Sequence, residues 1–300
     1  MKPQLGWTLL SRDALKRAEA QLAQEVQGVR DEIGFLAIHQ AYADRFFPGT
    51  SVLHTRLRYV MFIPWLYEKL EHRDDRQAID RRLQREELLL TGRLKRSGEN
   101  GVIGGRTYPK PSVQPPSMVY WTALGSWGIL RPMPNAEYPG RALIHRLMAQ
   151  RQFGARLHDD EHQLLEEGEH FFSAMPSPPK GWSDPEIPLD FNLRKSEANF
   201  LRKSLLSVRR PGPVVAPSLL AQLVDHRTAL SPSLTLWSSR VVRAADGDDR
   251  AALGRARQAA SLAAIGRAVY AALVEGMLAH QDNVSVGNEH RHHLRSILKE

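Results

Sequence analysis

Apolar residues recur at three- and four-residue spacings along most of this chain, and this pattern predicts a mainly α-helical protein with several helices. Clear strands with an alternating pattern are absent apart from short candidates such as 234–242. The predicted helices cover residues 11–26, 34–46, 52–72, 74–96, 142–152, 193–208, 218–226 and 249–280.

Prolines and glycines divide this helical pattern. Pro64 falls inside the third predicted helix, where it removes a backbone hydrogen bond and should produce a kink. Ser117 is placed to cap a short helix, and Ser218 to cap a later one. The proline-rich stretch 176–185 is typical of an exposed linker. We therefore predict a basic helical domain over 1–157, an acidic and proline-rich linker over 158–190, and a helical C-terminal domain over 191–300.

The chain has 300 residues and no cysteine. The absence of cysteine excludes disulfides, thiolate zinc sites and cysteine nucleophiles, and it fits a reducing compartment, so we predict a cytoplasmic protein. We expect neither secretion nor a membrane span, because Arg12 and Asp13 interrupt the N-terminal apolar run and we find no apolar stretch of 18 residues.

The formal net charge of +8 is unevenly placed, since residues 1–150 hold +7 of it. Residues 81–110 carry eight basic residues against three acids, whereas residues 158–190 carry nine acids against Lys180 alone. Such asymmetry favours a polyanionic partner for the basic half. The alternative is that these charges form solvated helix faces without a partner.

Enzymatic signatures are few. The chain has no Gly-Lys dipeptide for a phosphate-binding loop, no Gly-x-Ser-x-Gly nucleophile elbow and no dinucleotide-binding glycine pattern. The sequence His158-Asp-Asp-Glu-His162 fits the inverted zinc-peptidase motif. Its strongly acidic surroundings favour a solvated helix instead. For His290-Arg-His-His293 the favoured explanation is an exposed terminal helix. We therefore predict no catalytic residue, no metal and no cofactor.

Arg56 and Arg58 lie in an otherwise apolar predicted helix. Because burying an unpaired arginine is costly, at least one of them must reach a carboxylate, solvent or a phosphate. One interpretation is an internal ion pair with Asp44, Asp31 or Glu32. The other is a binding site for phosphate or a partner, to which the hydroxyls of Thr55 and Tyr59 contribute.

Several short motifs together resemble the bacterial domain-of-unknown-function family 6361. They are Gly6-Trp7, Phe47-Pro-Gly-Thr-Ser51, Thr55-Arg-Leu-Arg-Tyr59, Phe62-Ile-Pro-Trp65, Gly101-Val-Ile-Gly104, Pro116-Ser-Met-Val-Tyr-Trp121 and Trp127-Gly-Ile129. The family brings no assigned activity. The resemblance implies association with bacterial genome-defence or mobile-element loci.

The sequence thus leads to a first hypothesis and two alternatives. The first is a non-enzymatic nucleic-acid-associated component, with DNA as the expected ligand, of a multi-protein antiviral defence system. The second is a helical scaffold subunit that docks protein partners, and the third is a zinc-dependent hydrolase. For the first hypothesis, the predicted nucleic-acid-binding residues are Thr55, Arg56, Arg58, Tyr59, Arg81, Arg82, Arg85, Arg93, Lys95, Arg96, Arg106 and Lys110.

Overall fold

A computed structural model describes residues 35–71, 78–134, 137–153, 170–228, 235–281 and 287–298. These residues form eleven helices and no strand, so the predicted mainly α fold is confirmed. The chain divides into two compact units, residues 1–41 and residues 42–300. The helices are α1 Phe35–Phe46, α2 Tyr59–Glu71, α3 Ile79–Arg96, α4 Pro116–Val119, α5 Trp121–Ser126, α6 Arg141–Phe153, α7 Lys195–Leu206, α8 Leu219–Asp225, α9 Ser239–Ala244, α10 Gly247–Gln281 and α11 Glu289–Ile297.

Helix α2 is the centre of the larger core. Every residue from Tyr59 to Tyr67 is buried, as expected for a helix that is apolar on all sides. The helix continues through Pro64. One side of α2 packs against α3, and its aromatic rings extend the core toward α5 and α6. A smaller apolar cluster joins the end of α1 to α8, α9 and the first turns of α10.

The segment before α2 differs from the prediction, because residues 52–58 form turns and irregular backbone instead of the first part of a helix. The hydroxyl of Thr50 donates to the carbonyl of Phe47 at 2.7 Å, and the Ser51 hydroxyl accepts from the amide of Leu53 at 3.2 Å. Short polar side chains of this kind compete with helical backbone hydrogen bonds. The helix therefore begins at Tyr59.

The described part of the predicted linker, residues 170–190, also differs from the prediction, since several of its side chains pack onto the core. The indole of Trp65 donates to the carbonyl of Pro176 at 3.0 Å. Trp182 is buried and lies parallel to the ring of Phe62, with 5.7 Å between the ring centroids. Leu189 is buried as well. Aromatic contacts therefore hold this segment within the unit formed by residues 42–300.

The remaining predictions of caps and strands had mixed outcomes. Ser218 caps α8 as expected, with its hydroxyl accepting from the amide of Ala221. Ser117 does not cap a helix, because α4 begins at Pro116 with Pro115 at the capping position. The candidate strand 234–242 is absent from its described residues, which form turns and the start of α9. The predicted helix over 11–26 lies outside the described residues.

One helix of the described structure, α10, is long and apolar enough to cross a membrane. Its apolar stretch lies within Gly247–His280, and little of that stretch is buried inside the protein. A single helix of this kind is weak evidence for a membrane, because helices of soluble proteins pass the same test. The expected lack of membrane association stays a prediction.

Candidate nucleic-acid interface

The acidic side chains in the middle of α3 are buried, and this changes the charge that the helix presents to solvent. Glu86 lies against the core and pairs with Lys69 at 2.6 Å. Glu87 is also buried, and its Oε1 accepts from the amide of Ser117 at 2.8 Å. Burial raises the pKa of Glu87. Neither carboxylate therefore offsets the basic residues on the opposite side of the helix.

Those basic residues share the solvent side of α3. Arg81, Arg85, Lys95 and Arg96 are exposed, at spacings that place them along one face. The guanidinium of Arg96 also contacts the carbonyl of Pro185. The exposed acid of α3 is Asp80, in its first turn. The solvent side of the helix is thus more basic than the sequence of the helix suggests.

The loop after α3 folds back along the same helix. A Cβ atom on Gly92 would lie 2.8 Å from the hydroxyl of Tyr108, so the tyrosine crosses the helix where there is no side chain. The ammonium of Lys95 lies 5.2 Å from the centroid of the Tyr108 ring. Thr91 donates to the carbonyl of Ile103 at 3.2 Å and secures the start of the loop. The loop adds two exposed cations, Arg106 and Lys110.

Arg56 extends this surface past the start of the loop. Its guanidinium lies 3.3 Å from the position that a Cβ on Gly101 would occupy, and 5.9 Å from the centroid of Phe191. The hydroxyl of Tyr120 fixes the backbone, since it accepts from the amides of Thr55 and Arg56 at 2.9 and 3.0 Å. We define the basic surface as Arg56, Arg81, Arg85, Lys95, Arg96, Arg106 and Lys110.

Arg58 does not belong to this surface, because it is buried and paired inside the protein. Its Nη1 donates to Oδ1 of Asp190 at 2.7 Å, and its Nη2 donates to Oε1 of Glu197 at 2.9 Å. Burial alone would raise the pKa of Glu197, but hydrogen bonds from Arg58 and Arg194 outweigh it and lower that pKa. Of the two open interpretations, the internal ion pair therefore describes Arg58.

The partners of Arg58 differ from those proposed from sequence. Asp190 and Glu197 hold the guanidinium in place of Asp44. The other two proposed partners, Asp31 and Glu32, lie outside the described residues. The pairing connects residues more than 130 positions apart, so nothing local in the sequence indicates it.

Three other predicted site residues are buried as well. The guanidinium of Arg93 donates to the carbonyls of Gly181, Trp182 and Ile187 at 2.7 to 2.8 Å. Arg82 donates to the carbonyl of Leu70 at 2.8 Å. Tyr59 is fully buried, and its hydroxyl accepts from the amide of Ile103.

Burial raises the pKa of Tyr59, so this phenol stays neutral. Thr55 is exposed, but the contact that fixes it is made by its backbone amide. We therefore leave Thr55, Arg58, Tyr59, Arg82 and Arg93 out of the basic surface.

A series of polar contacts that the sequence did not reveal joins α2, α3 and α6, and it is buried at Tyr67 and His145. The hydroxyl of Tyr67 lies 2.8 Å from Nε2 of His145, whose Nδ1 lies 2.6 Å from Oδ1 of Asp80. Burial lowers the pKa of His145 in spite of the opposing effect of Asp80, and burial raises the pKa of Tyr67. Because Tyr67 is only 1% exposed, these contacts orient side chains within the core.

Metal-binding clusters are absent from the described part of the chain. The motif at 158–162 lies outside that part, and His290, His292 and His293 lie on the exposed helix α11. No solved structure and no curated protein matches this chain. A family model does match residues 4–211, which is more than half of the chain. The chain therefore belongs to the family of unknown function DUF6361.

Proposed function

We propose that this protein is a non-enzymatic nucleic-acid-binding protein that contacts the phosphate backbone, with DNA as its ligand, through the basic surface. The observation that carries the proposal is the segregation of charge on α3, where Glu86 and Glu87 are buried while Arg81, Arg85, Lys95 and Arg96 are exposed. A helix face with an excess of exposed positive charge attracts polyanions and releases their counterions on binding.

The dimensions of this face suit a nucleic-acid backbone. From Arg81 to Lys95 the helix rises about 21 Å, which spans about six phosphates of one strand of duplex DNA at their axial spacing. Arg106 and Lys110 widen the surface beside the helix, and Arg56 lengthens it beyond the loop. The surface is therefore large enough to contact several phosphates together.

The composition of the surface favours backbone contacts over the reading of bases. Its charged groups are arginine and lysine side chains on a helix face and a loop, and Tyr108, its aromatic neighbour, packs over Gly92 and Lys95. Base readout needs side chains directed into a groove. We therefore propose binding that depends strongly on salt and weakly on sequence.

Charge reversal tests this proposal. A triple variant, Arg81→Glu, Arg85→Glu and Lys95→Glu, should lose at least about tenfold in affinity for a short DNA duplex at low salt. The matched control is Arg146→Glu, Lys203→Glu and Arg257→Glu, which makes the same change of charge at exposed positions on α6, α7 and α10. Fluorescence anisotropy with labelled duplex measures both variants.

The salt dependence gives a second readout of the same site. If Z phosphates are contacted, the logarithm of the affinity falls with the logarithm of salt concentration at a slope of about −0.9Z. The triple variant should flatten this slope by about three, while the control keeps it. Equal losses in the two variants would contradict the proposal, because they would reflect net charge and not this surface.

The setting of this activity is a separate proposal. We propose that the protein acts in the cytoplasm as one subunit of a multi-protein antiviral defence system, and the support for this is the family resemblance alone. The second candidate function, a helical scaffold, is favoured by the exposed apolar residues on α10. If this protein purifies without nucleic acid but together with a stoichiometric protein partner, that result would support the scaffold.

A further inference from the structure

Helix α10 has two halves with different surroundings. In the first half, Ala252, Leu253 and Ala256 are buried against α8 and α9. In the second half, Ala268, Ala272 and Glu275 are buried, on the side that α11 covers. Both carboxylate oxygens of Glu275 bind the first turn of α11, by accepting from the amides of His290 and Arg291.

The other side of this second half carries an apolar stripe. Its large side chains are Leu262, Val269, Tyr270, Leu273 and Met277, of which four are between 58 and 71% exposed and Val269 is 38% exposed. At 100° per residue these positions fall within about a quarter of the helix circumference, roughly opposite the side that faces α11. Described residues of the chain thus leave the stripe open to solvent.

The size of the stripe argues for a macromolecular partner. Five large apolar side chains exposed to this degree present several hundred Å², which is the size of the largest apolar patch on a typical monomer, and such patches mark interaction sites. A standard interface buries about 800 Å² on each partner. The stripe alone supplies a large part of that area.

The order of residues along the stripe argues for a second copy. Gly266 lies on the stripe between Leu262 and Val269, and a Cβ placed there would meet nothing within 4 Å. If two copies cross in opposite directions near Val269 and Tyr270, Gly266 of one copy faces Leu273 of the other. Large residues then fill the space left by small ones, as packed helices require. A parallel pair would instead place glycine on glycine and leucine on leucine.

Charge is consistent with this pairing. The stripe itself has no charged residue, and Arg267 lies about 110° around the helix from its centre. An uncharged surface cannot form ion pairs with a charged partner, but it suits a twofold interface in which identical surfaces meet. We propose that the apolar stripe of α10 binds the same stripe of a second copy of this chain in antiparallel orientation.

The oligomeric state of the full chain tests the proposal. Light scattering after gel filtration should give the mass of a dimer, and Leu273→Glu should give the mass of a monomer. Val215→Glu is the matched control, because Val215 is 83% exposed and lies outside α10, and it should leave the dimer intact. Circular dichroism of both variants should match that of the parent protein.

Cross-linking tests the orientation, and the absence of cysteine from the chain makes single substitutions selective. Val269→Cys lies near the twofold axis, so mild oxidation should link two copies of that variant. Leu262→Cys should not link to itself, but should link to Met277→Cys when the two variants are mixed. Linking of Leu262→Cys to itself would overturn the antiparallel arrangement.

Other occupants of the stripe give different results. A parent protein that stays monomeric at every concentration tested overturns the proposal. A monomer that sediments with neutral phospholipid vesicles, and loses that binding in Leu273→Glu, overturns it in favour of a lipid surface. The test is independent of nucleic-acid binding, because the triple variant of the basic surface should keep the dimer mass.

Discussion

Arg58 and Glu197 form a buried ion pair, with 2.9 Å between Nη2 and Oε1, that joins the turn before α2 to the first turn of α7. Glu197 also accepts from the backbone amide of Arg194 at 3.0 Å, so the same carboxylate anchors the N-terminus of α7. The second carboxylate on Arg58 belongs to Asp190, at the end of the predicted linker 158–190. One guanidinium therefore joins three parts of the chain.

Removal of the Arg58 guanidinium should strongly destabilise the fold. We expect Arg58→Met to lower the free energy of unfolding by about 3 to 5 kcal/mol, because Glu197 would keep a buried charge with fewer partners. Arg56→Met, at an exposed position in the same turn, should cost less than about 0.5 kcal/mol. Urea unfolding followed by tryptophan fluorescence measures both, since Trp65 and Trp182 are buried. Equal costs would refute the structural role of Arg58.

The lowered pKa of Glu197 predicts a loss of stability in acid. A carboxyl group whose pKa is lower in the folded state stabilises the protein above its unfolded pKa of about 4.3. That contribution is lost as the pH falls through the pKa of the folded state. Glu197→Gln should therefore be less stable than the parent at neutral pH, and the difference should shrink below about pH 4. Thermal unfolding between neutral and acidic pH checks this.

Glu87 should behave in the opposite way. Burial is the main cause of its raised pKa, so folding favours the protonated form and stability falls as the pH rises through its pKa. Glu87→Gln keeps an acceptor for the amide of Ser117 and removes the buried charge. We expect this variant to equal or exceed the parent in stability at neutral pH. A loss of more than about 1 kcal/mol at neutral pH would show that the charged form is needed.

Arg93 and Arg96 provide a matched pair on one helix. Arg93→Lys should cost about 3 kcal/mol, because one ammonium cannot reach three separate carbonyls and would leave buried acceptors unpaired. Arg96→Lys should cost less than about 0.5 kcal/mol, since that side chain is exposed. Chemical denaturation measures both. A small cost for Arg93→Lys would mean that the segment from 181 to 187 does not depend on this contact.

Gly49 and Gly98 separate the effect of backbone conformation from that of packing. Both have a positive φ, +76° and +70°, so alanine is strained at either position. A Cβ on Gly49 would lie 2.6 Å from Cβ of Ser126, whereas a Cβ on Gly98 would meet nothing within 4 Å. Gly98→Ala should cost about 1 kcal/mol, and Gly49→Ala at least about 1 kcal/mol more. Similar melting temperatures for the two variants would rule out the packing contribution.

Much of the fold could be predicted because it depends on local periodicity. The buried side of α3 follows Ile79, Leu83, Leu90 and Leu94, as the spacing indicates. Glu86 falls at the same spacing, between Leu83 and Leu90, so the burial of this acid could have been predicted too. The start of α2 could not be predicted, because the apolar pattern of the helix continues into the residues before it. The hydroxyls of Thr50 and Ser51 form local hydrogen bonds there, and these replace the hydrogen bonds of a helix.

The candidate site was less accessible from sequence, because contacts distant in the chain decide which cations are exposed. Arg56 and Arg58 are nearly adjacent, yet one is exposed and the other meets carboxylates more than 130 residues away. Arg93 and Arg96 differ in the same way, because a segment that looked like a linker supplies carbonyls to Arg93. Charge counts cannot separate such pairs. Their separation requires the tertiary structure.

The hydrogen bonds from Arg93 to three carbonyls should protect residues 181–187 from proteases. To enter a protease active site, a chain must extend and offer its backbone groups to the enzyme, but here Gly181, Trp182 and Ile187 already use theirs. Cleavage would first require this segment to separate from α3. The composition of residues 181–187 is typical of a linker that proteases cleave easily. These residues should nevertheless survive limited proteolysis as long as the core around Trp182 stays folded.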